Sequence, residues 1–261
     1  MNWADIIGAD FVVPAPQLPE LTAKLSEALR SPDPVERDEH AYSILATWIQ
    51  RGLLDEDRLL ALGDQMARRF TDEPIQARTF AALILASIVS AGTFRAAWFD
   101  AFAAWYPTER DTRGHDPDLG WLHAVAHGAD LLGAMGGHRR VDAGRALGLS
   151  VDRMIAPTTH VWRDQEDDRL AVAQARILTR EDLTAATSIG WLAPVDRFLD
   201  QGEPGPVPPA ASNTMRTLRM LYLLTDRGVR GADGRPRELA HADQVRERLT
   251  ELLARFTPWA W

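Results

Sequence analysis

A chain of 261 residues, 46% hydrophobic and 25% charged, can bury a sizeable core and does not have the composition of a disordered segment. Its net charge of -8, with a pI near 5.4, disfavours general binding to nucleic acid or to an anionic membrane surface, since both need a basic face. The absence of cysteine excludes disulfides, thiolate nucleophiles and Cys-based zinc sites.

The opening stretch, Met1 to Pro16, lacks a basic leader and is too acidic for a signal peptide. No window reaches the roughly 18 uncharged apolar residues of a membrane span. The expectation is a cytoplasmic protein. Apolar residues recur with a helical period along nearly the whole length, and alternating strand patterns are scarce. Asp33-Pro34-Val35-Glu36 reads as a helix start, and the helix it opens carries Tyr42, Leu45 and Ile49 before ending near Gly52. Asp55 caps the next, through Phe70. Pro74 precedes a strongly apolar helix from Ile75 to Ala91, and an aromatic one from Arg95 stops at Pro107. After a polar loop, Asp118 is expected to cap a central helix reaching Met135, which Gly136 and Gly137 end.

Shorter helices are expected over Val141 to Leu147 and Val151 to Trp162, then over Asp167 to Leu178 and Glu181 to Leu199. Residues 203–211 hold four prolines and no periodicity, so they read as a crossing loop before the C-terminal helices. Asn213 is placed as the cap of a helix through Thr225, and a last helix spans Glu238 to Phe256. The whole, residues 1–261, reads as one all-α domain of stacked antiparallel helix pairs, HEAT-like or another α-α superhelix.

The most informative stretch is Leu119 to Leu132. On a continuous helix, at about 100° per residue, His127 lies about 40° from His123 and Asp130 about 20° to the other side. All three share one stripe, while Trp121, Leu122, Val125, Leu131 and Leu132 occupy the rest of the cylinder. Histidines four apart on a helix can reach one divalent metal, which makes His123 and His127 candidate ligands. Asp130 sits about 10.5 Å along the axis from His123, so it is better placed to orient His127. Further ligands would come from Asp111, His115, Asp116, His160 or the run Glu166-Asp167-Asp168. The plain alternatives are an exposed stripe or a satisfied hydrogen-bond network. No Glu follows the first His, so the zincin signature is absent.

Arg113 in the loop Asp111 to Asp116 can meet a ligand carboxylate or pair with Asp111. Three local aspartates, 111, 116 and 118, oppose a phosphate site there. The acids at 166–168 suit a helix start, where they offset the macrodipole. The alternative turns one of them toward the histidines as a ligand or base. Arg216, Arg219 and Tyr222 share one helical face and line either a pocket or solvent. The nine tryptophans fall mostly at core spacings.

Arg113-Gly114 followed by Gly120-Trp121-x-His123-Ala124-x-Ala126-His127-Gly128-Ala129-Asp130-x-Leu132 resembles the hallmark of the bacterial domain-of-unknown-function family numbered 2785. Arg37-Asp38, Arg78-Thr79-Phe80-Ala81-Ala82-Leu83, Glu166-Asp167-Asp168-Arg169-Leu170-Ala171 and Leu218-Arg219-x-Leu221-Tyr222 resemble further segments of that family in order. The resemblance implies an all-helical bacterial protein in which Arg113, His123, His127, Asp130 and Asp167 to Arg169 belong to a family pattern. It implies no activity, substrate or cofactor.

Three functions remain open on the residues alone. The first is a helical protein with a polar pocket for a small ligand or peptide, drawing on Arg113, Trp121, His123, His127, Asp130, Asp167, Arg169, Arg219 and Tyr222. The second is a metal-dependent, hydrolytic enzyme with His123 and His127 as ligands. The third is a protein-binding scaffold.

Overall fold

The structure is a computed structural model and describes residues 3–202, 205–231 and 234–260. Within them the chain is all-α apart from two short hairpins. The helices are α1 (Trp3–Gly8), α2 (Leu18–Ala28), α3 (Ser43–Gln50), α4 (Glu56–Arg69), α5 (Ile75–Ser90), α6 (Ala96–Trp105), α7 (Ala124–Gly136), α8 (Ala143–Ile155) and α9 (Glu166–Leu178). They continue as α10 (Ala185–Gly190), α11 (Ala193–Asp200), α12 (Pro209–Arg227) and α13 (Ala242–Phe256). Strands β1 (His115–Asp116) and β2 (Gly120–Trp121) form one antiparallel hairpin, and β3 (Val229–Arg230) and β4 (Pro236–Arg237) the other. No described helix is long and apolar enough to cross a membrane.

Local chemistry explains most boundaries. The Asp55 carboxylate accepts from the Arg58 N–H at 3.0 Å and starts α4 as expected. Asp142 does the same for Arg145 in α8, and Thr184 for Thr187 in α10. Helix α5 is apolar on nearly all sides and is buried accordingly. It packs against α4 and α7; α7 packs in turn on α9, α9 on α12, and α12 on α13. A single apolar cluster runs through this row from Ile6 to Leu253. Trp48, Trp98 and Trp162 are among its largest buried side chains, whereas Trp121 and Trp259 are exposed.

Four sequence expectations are corrected. The central helix starts at Ala124, not after Asp118. The Asp116 carboxylate accepts from the N–H groups of Asp118 and Leu119, both at 3.0 Å, and so closes a hairpin turn where a helix was expected. The two short helices expected between 141 and 162 are one, α8, and Pro157 lies beyond its end. The helix expected from Glu181 to Leu199 is broken into α10 and α11, with Pro194 in the first turn of the second. Asn213 caps nothing. It lies buried inside α12, accepting from the Trp162 N–H at 2.9 Å and donating to the His160 carbonyl at 3.0 Å. Pro208 and Pro209 start that helix instead. Of the proline-rich loop expected over 203–211, residues 203 and 204 lie outside the described residues, 205–208 are non-helical, and 209–211 already belong to α12.

The stretch after Pro34 is helical as expected, but Val35–Tyr42 is wound as a π-helix before continuing into α3. That winding accompanies a fully buried Arg37. Its guanidinium donates to the carbonyls of Ser31 (3.1 Å), Leu119 (2.8 Å) and Trp121 (3.3 Å) and to the Asp38 carboxylate (2.6 Å). One arginine thereby ties the N-terminal third of the chain to the β1–β2 hairpin.

Candidate functional site

The hairpin delivers His123 to the start of α7 rather than to its side. His123 is the residue before the helix, in the left-handed region at φ 46°, and its carbonyl accepts the first helical bond from His127 at 2.8 Å. A non-glycine residue pays strain for that conformation, so its surroundings must hold it there. They do so with the N–H groups of Leu122 and His123, which both donate to the Gly114 carbonyl (2.8 and 3.2 Å). The Trp121 ring lies edge-on against the His123 ring at 4.4 Å between centroids, and His115 packs on its own account against Trp121 at 4.8 Å. The expected single-helix stripe is therefore replaced by a corner. His123 and His127 still come close, with ring centroids 5.5 Å apart.

Asp130 does not orient His127. Its carboxylate is gripped by the guanidinium of Arg169 from α9, and Nη1 of the same arginine donates to Nδ1 of His123 at 3.3 Å. Arginine only donates, so His123 Nδ1 accepts and the neutral ring carries its proton on Nε2. The ring of His127 is held by the backbone of Thr79 and by the edge of Phe80, 5.2 Å away. Burial and the nearby Arg169 charge lower the His123 pKa to about 4. The same two causes, in the same order, and His123 itself hold His127 well below the ordinary histidine value. Both rings are neutral at physiological pH. His123 Nε2 and His127 Nδ1 are buried with no hydrogen-bond partner among the described residues.

Two imidazoles at this separation can share an ion, but the surroundings do not favour one. Among the described residues, no group of three or more His, Asp or Glu side chains is arranged to hold a metal. The Arg169 guanidinium beside His123 also places a fixed positive charge where a cation would sit.

The remaining candidates divide. Arg113 is taken by Asp111 (2.6 Å) and Asp116 (2.5 Å) in the exposed loop. Asp167 is buried and paired with Arg216 of α12 at 2.6 Å, and Asp168 is exposed. Glu166 is fully buried at the start of α9. It accepts from the Asp164 N–H at 2.8 Å, and burial raises its pKa. A Cβ on Gly114 would meet Glu166 and Asp164 oxygens at 2.4 and 2.3 Å, so only glycine lets the two loops approach this closely. Arg219 is exposed and Tyr222 half-buried against the core; no hydrogen bond or ion pair joins either to the histidines among the described residues. His160 is half-buried by the Asn213 anchor, away from the pair.

A groove opens on the other side of Asp130. It has a volume of about 850 Å³. Its floor is α7, where Asp130, Gly133, Ala134 and Gly137 recur at helical spacing. Tyr42, Ala46 and Gln50 of and beside α3 and Leu83, Ala86, Ser87 and Ser90 of α5 form one wall. Arg176 of α9 and Arg230 and Arg237 of the β3–β4 hairpin line the other. Gly133 makes the floor possible, since a Cβ there would press on Ala173 of α9 at 3.3 Å. Burial and the neighbouring Asp130 charge raise the Tyr42 pKa, so its phenol stays protonated as a donor toward the groove.

Sequence reasoning names Asp130 and Arg169 as candidates but gives no sign of the groove, whose lining includes Asp130 and not Arg169. Tyr42 was read as core stripe, and Arg176, Arg230 and Arg237 carried no motif.

No curated protein and no solved structure shows significant similarity to the chain. A family described as "Protein of unknown function (DUF2785)" matches residues 62–223, which span α5, the β1–β2 hairpin, α7, α9 and most of α12. The match covers more than half of the chain and takes in both histidines, Asp130 and Arg169; the chain therefore belongs to the DUF2785 family.

Proposed function

We propose that the protein binds a small ligand in the groove along α7. The observation that supports this best is the groove itself: about 850 Å³, within the usual size of ligand sites, floored by Gly133, Ala134 and Gly137 and closed at one end by Asp130. Behind Asp130 stands a rigid frame. Arg169 holds its carboxylate and is itself bonded to His123, whose corner is fixed by Gly114 and Arg37. A polar group held by such a frame is pre-organised, which reduces the entropy lost on binding. On this reading His123 and His127 are positioning residues behind the pocket wall. The metal-dependent enzyme is the weaker reading, because the ligand set around the histidines is incomplete among the described residues.

The test is occlusion. Ala134 is half-buried on the groove floor, so Ala134→Trp fills the space without displacing core. A thermal-shift screen of small organic molecules against the unaltered protein is expected to yield stabilising ligands, and Ala134→Trp is expected to abolish the shifts. Shifts that persist in the blocked variant would place binding elsewhere and overturn the reading.

A further inference from the structure

We propose that the ligand of this groove is a soluble organic anion, a carboxylate or phosphate ester, whose acidic group is taken by Arg176, Arg230 and Arg237. This rests on the groove being the binding site and specifies its chemistry. The three arginines stand together on one wall of a protein whose net charge is -8. The groove's one acidic lining residue among those described, Asp130, is already neutralised by Arg169. Arg176 and Arg230 have no carboxylate within ion-pair distance among the described residues.

A structural explanation for the arginines is available and falls short. The C-terminal ends of α5, α7 and α9 meet here, at Ala91, Gly137 and Thr179, and helix C-termini attract cations. Each such end amounts to about half a negative charge, so three ends together do not match the two full positive charges of Arg176 and Arg230 alone. Moreover, the Gly136 carbonyl at the end of α7 and the Val141 carbonyl in the loop after it already have a donor. Arg180, which is not part of the groove lining, donates to Gly136 and Val141 at 2.9 and 2.8 Å. A net positive field is left over at the arginine end. Guanidinium groups meet carboxylates and phosphates through paired, charge-assisted hydrogen bonds. The uncharged part of the ligand then lies on the small-residue floor, with Tyr42, Gln50, Ser87 and Ser90 at hand for its hydroxyl or carbonyl groups. The floor from Asp130 to Gly137 is about 10 Å long, the reach of a compact metabolite.

Binding of octanoate, octyl phosphate, inorganic phosphate, n-octanol and octyltrimethylammonium is measured by calorimetry on four proteins. These are the unaltered chain, Arg176→Met/Arg237→Met, and the two groove-blocking variants Ala134→Trp and Ser90→Trp, with folding checked by circular dichroism. Ser90 is exposed, so its replacement keeps the test alive if Ala134→Trp does not fold. Octanoate or octyl phosphate is expected to bind, and to weaken at least about tenfold when the two arginines are removed, a loss that shrinks with added salt. The blocked variants are expected not to bind. If n-octanol or the ammonium probe binds in the same groove without regard to the arginines, the anion inference fails while the groove reading stands. If the anions bind equally to the blocked variants, the groove reading fails with it. Binding by none of the probes overturns the anion inference. Arginine-dependent sedimentation with phosphatidic acid vesicles but no binding of the soluble anions would assign the arginines to a lipid surface and overturn the soluble ligand.

Discussion

The two halves of α7 are built on opposite plans. Around its start, large polar side chains are committed to one another or to backbone. His123 is held in a left-handed conformation, His127 is wedged against Phe80, and Tyr106 donates its hydroxyl to the Val125 carbonyl at 2.8 Å. At its end Gly133, Ala134 and Gly137 line the groove on one side, while α9 packs closely against Gly133 and Gly136 on the other. Asp130 lies at the junction, held by Arg169 on one side and open to the groove on the other. Rigidity is therefore concentrated at one end, where no space is left, and space at the other, where few side chains compete for it. A frame and a cavity on the same helix are a natural way to present a single polar group in a defined direction.

The sharpest way to break the frame is to crowd it. A Cβ on Gly128 would stand 2.1 Å from the ring of Tyr106, which is fully buried and hydrogen-bonded and cannot retreat. Gly128→Val is expected to cost about 4 kcal/mol, or to prevent folding, as read by urea denaturation. Next in size is Arg37→Met. It strips the Leu119 and Trp121 carbonyls and the Asp38 carboxylate of their buried donor, and about 3 kcal/mol of stability is expected to go with them. If the hairpin holds His123 in place, the same variant also loosens the His123 corner, visible as a shift of its ring resonances.

Acid attacks the same end more gently. His123 has a folded pKa of about 4 against an ordinary value of 6.5, and burial holds His127 well below that ordinary value too. As the pH falls below 6.5 the unfolded chain takes up protons that the folded chain refuses, so stability drops and goes on dropping down to the folded pKa values. Between pH 7 and pH 5 His123 alone is expected to contribute a loss of about 1–2 kcal/mol. His127 adds in the same direction. Glu166, whose folded pKa is raised, works in the opposite sense and offsets part of the loss. Urea titrations at several pH values check this, and a His123→Asn/His127→Asn variant is expected to show a shallower dependence. A dependence unchanged in that variant would assign the acid sensitivity to other groups. The smallest effect belongs to the groove end: Ala134→Leu is expected to change stability by less than about 0.5 kcal/mol while reducing ligand binding.

Much of the fold was legible. Helices α4 and α5 matched their expected ends closely because a capping aspartate at 55, a proline at 74 and an unbroken apolar run are local signals acting on neighbouring residues. The region from Asp116 to His123 was misread for an equally local reason in competition with a distant one. Its residues carry helical periodicity, but Asp116 bonds its own backbone two and three residues on. Arg37, more than 80 positions away in sequence, then fixes the carbonyls of Leu119 and Trp121 in a hairpin. No pattern within the segment announces that arginine.

Composition, periodicity and turn chemistry determined on their own that the chain is all-α. Family-like residues placed His123, His127, Asp130 and Arg169 in one neighbourhood. Tertiary structure alone decided their roles. Arg169 claims Asp130 from another helix, Thr79 and Phe80 claim His127, and the convergence of α3, α5, α9 and the β3–β4 hairpin hollows the groove. The physical reason is range. A cap or an apolar stripe is set by residues within a turn or two, whereas an ion pair, a cavity or a shared field depends on which distant surfaces come together. That information is spread across the whole chain.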